Sequence, residues 1–107
     1  MASNIPEAVV TLLDAANHHD TEAFLASFTQ DAVVDDWGRE FAGATSIRSW
    51  SDREFIGANV SLTVTPVSTT DERTTVSADV GGDGYTGPSH FIFEIRGDRV
   101  ARMTIRQ

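Results

Sequence analysis

The chain has 107 residues, 40% of them apolar and 22% charged, with a formal net charge of −8 and no cysteine. One domain of this length buries about two thirds of its unfolded surface in a single core. Disulfide and thiolate chemistry are excluded, no apolar run approaches the roughly 18 residues of a membrane span, and the acidic balance excludes a nucleic-acid backbone as partner.

Met1-Ala2-Ser3-Asn4 lacks a basic stretch followed by an apolar one, so no secretory signal is expected and the cytoplasm is the expected compartment. All eight cationic residues are Arg. Arg73, Arg96, Arg99, Arg102 and Arg106 crowd the carboxyl third, with Glu94 and Asp98 between them. That interleaving predicts a solvated sheet face with cross-strand ion pairs rather than an anion-binding patch.

In chain order, residues 5–17 read as an amphipathic helix: Ile5, Val9, Leu12, Leu13 and Ala16 form one apolar stripe. Pro6 and Glu7 suit its first turn, and Asn17-His18-His19 breaks the pattern. Asp20 is the expected N-cap of a shorter second helix whose buried face is Phe24, Leu25 and Phe28. Thr29-Gln30-Asp31 is expected to turn the chain into a strand over 32–37. A third helix is predicted over about 44–56, with Ile47, Trp50, Ser51, Glu54 and Phe55 on one side and Gly57 as its stop.

Near residue 59 the period changes to two. Val60, Leu62 and Val64 alternate with polar residues, and Val76, Ala78 and Val80 repeat the pattern after a predicted hairpin turn at Thr70-Asp71-Glu72-Arg73. Gly81-Gly82-Asp83-Gly84 reads as a loop or bulge. Phe91, Phe93 and Ile95 define a further strand, Gly97-Asp98 a tight turn, and residues 100–105 a closing strand. Three helical segments followed by four long strands make an α+β domain without internal repeats. Hairpin-length connections predict an antiparallel sheet.

Three stretches carry a family likeness: Asn17-His18-His19-Asp20 leading into Phe24 and Phe28, Asp31-Ala32-Val33-Val34-Asp35-Asp36, and Gly43 ahead of Ile47-Arg48-Ser49-Trp50. Over residues 5–107 the chain resembles the SnoaL-like branch of the nuclear-transport-factor-2-like (NTF2-like) superfamily. The resemblance implies a single cystatin-like cone: three N-terminal helices packed on a curved antiparallel sheet around an apolar interior. It also implies pairing into a homodimer through the outer sheet face. Activity does not follow from it, because the superfold hosts isomerases, cyclases, hydrolases and dehydratases.

Asp36 is the candidate catalytic residue. Regular alternation puts Ala32, Val34 and Asp36 on one face, with Val33, Asp35 and Trp37 on the other. The apolar pair marks the first face as the inner one. A carboxylate at the edge of an apolar pocket is expected to gain basicity from desolvation. Steroid isomerases of the superfamily, similar over Asp31–Asp36, place their general base at the position matching Asp36. Their two oxyanion donors, a tyrosine and a protonated aspartate, match Leu12 and Ser89 here, so that apparatus is not reproduced; losing one donor alone costs about 2.7–4 kcal/mol of transition-state stabilisation. Three roles stay open for Asp36: proton transfer, a non-catalytic polar group of the pocket, or a structural group that caps or pairs with Arg39 or Arg53.

Asp35 is expected to be solvated or at an interface, not half of a dyad. His90 alternates with Phe91 and Phe93 and is expected to face outward, and His18 and His19 are expected on the surface. The expected pocket lining is Phe28, Trp50, Ser89, Phe91, Phe93 and Met103, around a small hydrophobic ligand. No metal-ligand spacing occurs and Gly81–Gly84 is not a phosphate cradle, so no metal or cofactor is expected. Two functions compete: an enzyme using Asp36 for proton transfer, with Trp50 or Ser89 as hydrogen-bond donor, and a non-catalytic dimeric ligand-binding or association module.

Overall fold

Helix α1 spans Glu7–Asn17 and α2 spans Thr21–Ala26, in a computed structural model that describes residues 6–70, 73–84 and 86–106. The stripe Val9, Leu12, Leu13 and Ala16 is buried as its spacing requires. Asp20 caps α2, its Oδ1 accepting the Ala23 N–H at 3.1 Å. Strand β1 follows at Phe28–Asp36, β2 at Arg39–Ala42 and α3 at Gly43–Glu54. After a 3₁₀ turn at Ile56–Ala58 come β3 (Ser61–Thr70), β4 (Arg73–Gly81), β5 (Gly87–Arg96) and β6 (Arg99–Arg106). None of the described helices is long and apolar enough to cross a membrane.

The strands form one curved sheet in the order β2-β1-β6-β5-β4-β3. Its long strands β3 to β6 are antiparallel neighbours, as hairpin connections dictate. The expectation of a wholly antiparallel sheet is corrected at one seam, where β1 pairs β6 in parallel. Most of the domain lies between these two strands in sequence, so no hairpin constrains their direction. The predicted turn at Thr29-Gln30-Asp31 is instead part of β1, at a register shift between Phe28 and Val33. Phe28 therefore belongs to the strand, not to α2. The hairpin turn expected at 70–73 falls partly on Asp71-Glu72, outside the described residues.

Strand β2 has no alternating apolar signal, and only the structure reveals it. It folds back on β1 through Trp37-Gly38, with Asp36 opposite Arg39. Both turn residues have positive φ, 57° and 92°, the handedness that suits a two-residue hairpin. Along β3, Leu62 is buried but Val64 is 39% exposed, next to a second register shift between Val64 and Val67. At the start of this edge strand, Asn17 Nδ2 donates to the Leu62 carbonyl, its Oδ1 accepts the Leu62 N–H, and His19 Nε2 donates to the Val60 carbonyl. These bonds satisfy backbone groups that an edge would leave open.

α3 ends two residues earlier than its pattern suggests. The chain then crosses so close to the Asp52 backbone that a Cβ on Gly57 would overlap the Asp52 carbonyl. Gly57→Ala is expected to cost about 1–3 kcal/mol through this overpacking. Chemical denaturation checks it, and an unchanged midpoint would show that the backbone there yields freely.

Candidate functional site

The wide end of the cone holds a pocket of about 590 Å³ between α3, the 3₁₀ turn and the inner sheet face. Trp50, Phe55, Val60, Phe91 and Ile105 make its apolar wall, and Ser89 adds a hydroxyl. The rings form a continuous row, stacked at one step and tilted at the next. Trp50 lies 4.9 Å from Phe55, centroid to centroid, at 21°, and Phe55 lies 6.4 Å from Phe91. Ser89 is 2% exposed. Ligand pockets commonly have this makeup: mostly apolar walls with a few placed polar groups.

Asp36 ends β1 on the face of buried Ala32 and Val34 and lines the pocket, its side chain 15% exposed. Two donors hold one oxygen of the carboxylate. Trp50 Nε1 donates to its Oδ2 at 3.0 Å, and Arg39 Nη2 donates to the same oxygen at 2.7 Å. Oδ1 accepts no hydrogen bond among the described residues. The pairing with Arg39 left open above is realised, whereas Arg53 donates to Ser49 Oγ at 3.2 Å.

Arg39 also grips Glu54 with both terminal nitrogens, at 3.1 and 2.6 Å. This fork–fork pair joins the β1–β2 hairpin to the end of α3 across the pocket mouth. The Arg39 hydrogen bonds hold the Glu54 carboxyl below the usual range, outweighing partial burial, and raise the Arg39 guanidinium above its ordinary value. On the opposite rim the Asp83 N–H donates to the Ala58 carbonyl at 2.8 Å, and Asn59 Nδ2 donates to Asp83 Oδ2 at 2.6 Å. This clasps the glycine-rich loop onto the 3₁₀ turn.

Of the residues expected to line the pocket, Trp50, Ser89 and Phe91 do so together with Asp36. Phe28, Phe93 and Met103 lie outside its lining. All three are buried: Phe28 packs edge-on to Phe24 at 5.2 Å, Phe93 stacks on Phe91, and Met103 is fully enclosed. They belong to the closed hydrophobic core instead. Leu12, at the position matching an oxyanion donor, is likewise sealed in the core. The reading missed Phe55, Val60, Ile105 and Asp83 as lining residues. Phe55 had a signal, sharing the α3 stripe with Trp50.

On the outer face, His90 is exposed as expected. Asp35 corrects its expectation, being buried rather than solvated. Arg106 grips both its oxygens at 3.0 and 3.1 Å, Arg102 donates to Oδ2 at 3.0 Å, and the Gly38 N–H donates to Oδ1 at 2.8 Å. Among the described residues no cluster of three or more His, Asp or Glu could hold a metal ion.

A comparison with curated proteins finds no match. Among solved structures, a protein from Sinorhizobium meliloti proposed to be a polyketide cyclase is 27% identical, with TM-score 0.85 and 96% of each chain covered. A protein of ketosteroid isomerase-like fold from Catenulispora acidiphila, in complex with trimethylamine, is 22% identical, with TM-score 0.81 and coverage of 97% and 87%. A cystatin-fold protein from Novosphingobium aromaticivorans is 14% identical, with TM-score 0.80 and coverage of 94% and 96%. The family model for the SnoaL-like domain matches residues 9–103, and with nearly the whole cone inside that span, the chain belongs to the SnoaL-like family.

Proposed function

We propose that the pocket binds a small, mainly apolar organic molecule and that Asp36 transfers a proton to or from it, in a reaction of isomerase, cyclase or hydrolase type. The observation that carries this reading is the pocket itself: about 590 Å³ with an aromatic wall, and Asp36 within its lining. The volume falls inside the roughly 300–1,000 Å³ range of ligand sites. With Oδ2 held by Trp50 and Arg39, Oδ1 is the oxygen free to meet a ligand proton. The Sinorhizobium meliloti relative, proposed to act on polyketides, supports an apolar organic substrate.

One observation favours a module that binds without turnover. Leu12, sealed and aliphatic, offers nothing to a developing oxyanion, and a missing donor is worth about 2.7–4 kcal/mol. Thermal-shift screening with hydrophobic metabolites comes first. A ligand at about 100 times its dissociation constant stabilises the fold by about 2.7 kcal/mol, a readable shift. Turnover of the ligand so found is then compared in wild type and Asp36→Asn. Loss of turnover with retained binding supports proton transfer, and equal turnover removes Asp36 from the mechanism. A screen with no stabilising compound removes the binding reading as well.

A further inference from the structure

Trp37 is poorly explained by folding alone. It lines the pocket mouth yet is 50% exposed, while the other aromatic residues of the lining are buried. Its indole makes no hydrogen bond and no ring contact among the described residues. Only its backbone is engaged, the N–H donating to the Ile105 carbonyl at 3.3 Å. That backbone stands at φ 57°, in the first position of a two-residue turn that Asn, Asp or Gly fits best. A bulky side chain there is strained. The turn would form more easily without the indole, and water solvates the indole poorly.

These costs share one location. Trp37 directly follows Asp36, so the hairpin that presents the carboxylate also presents the indole beside it. Arg39, two residues on, pins that hairpin to Glu54, which fixes the tip relative to the Trp50–Phe55 stack. The fixed side of the mouth is aromatic and closed. The Trp37 side is aromatic and open.

We infer that Trp37 is a ligand-contacting, specificity-determining residue, its indole covering the outward face of the occupant. The occupant therefore presents a flat, conjugated ring at the mouth, next to Asp36. This rests on the pocket being a ligand site. A saturated molecule of equal size fills the volume but lacks a flat face for the indole to cover.

Isothermal titration calorimetry with 2-naphthol and with decahydro-2-naphthol, against wild type, Trp37→Asn and Trp37→Phe, tests the inference. Trp37→Asn is expected to weaken 2-naphthol about tenfold, as loss of an aromatic contact and its buried area implies. The saturated alcohol should change by less than about threefold, and Trp37→Phe should stay within about threefold of wild type for 2-naphthol. The melting temperature of Trp37→Asn should equal or exceed that of wild type, because the turn loses its strain. Unchanged 2-naphthol affinity in Trp37→Asn overturns the inference and leaves the pocket standing. Equal weakening of both alcohols overturns the preference for a flat ring, and a lowered melting temperature makes Trp37 structural. If wild type binds neither compound at millimolar concentration, the ligand site fails and this inference falls with it.

Discussion

Trp50→Ala should lower the unfolding free energy by about 3–5 kcal/mol, the range for deleting a large aromatic group from a closed core. The indole is 1% exposed, stacks on Phe55 at 4.9 Å and lies 6.1 Å from Phe41. The Phe41 and Phe55 rings lose their partner with it. In a domain whose whole stability is about 5–15 kcal/mol, this is a large fraction. Trp50→Phe separates packing from polarity. It keeps a ring in the stack but removes the Nε1–H donated to Asp36, a loss of about 1–2 kcal/mol. Urea denaturation of the two variants beside wild type reads both numbers. A cost under about 1.5 kcal/mol for the alanine variant would contradict the close packing described for α3.

Asp35→Ala should cost about 2–3 kcal/mol at neutral pH. It removes the acceptor of four hydrogen bonds and leaves Arg102 and Arg106 facing each other without their shared carboxylate. The arginine side chains are 30% and 42% exposed, and water softens the loss below that of a fully enclosed pair. Asp35→Asn gives the cleaner pH experiment. Arg106 chiefly, helped by the Gly38 N–H and Arg102, holds the Asp35 carboxyl below its ordinary range against the opposing effect of burial. A depressed value in the folded state means that the unfolded chain takes up the proton first. The stabilisation is then complete above the unfolded value near 3.9 and is lost as pH falls through the folded one. The gap in melting temperature between wild type and Asp35→Asn should be widest near neutral pH and close as pH falls below about 4. Asp31 and Glu54 are depressed as well, so the gap, not the wild-type curve, isolates Asp35. A gap that widens on acidification would refute the ion-pair account.

Local patterning made much of this legible. The 3.6-residue stripe of α1, the cap at Asp20 and the period of two from Val60 onward each follow from short-range spacing and are present in the fold. Alternation also put Asp36 on the inner face with Ala32 and Val34, and His90 on the outer one. Spacing tells which face a residue takes, not how far along the cone it sits. Phe91 and Phe93 point the same way, but only the first reaches the open end. The burial of Asp35 was hidden for a different reason. Its arginines come from β6, far along the chain, through the parallel seam that no hairpin length encodes. The short strand β2, without apolar alternation, was invisible to the period. It brings Arg39 to both Asp36 and Glu54, and so sets the ion pairing at the pocket mouth.

The seam has a consequence for biosynthesis. Because β6 lies between β1 and β5, a nascent chain emerging from the ribosome carries two unjoined sheet fragments until residues 99–106 arrive. The helical half and the meander cannot mature one after the other, and closure is a late, long-range and cooperative event. Clipping off this last strand would not trim the molecule but split it down the middle.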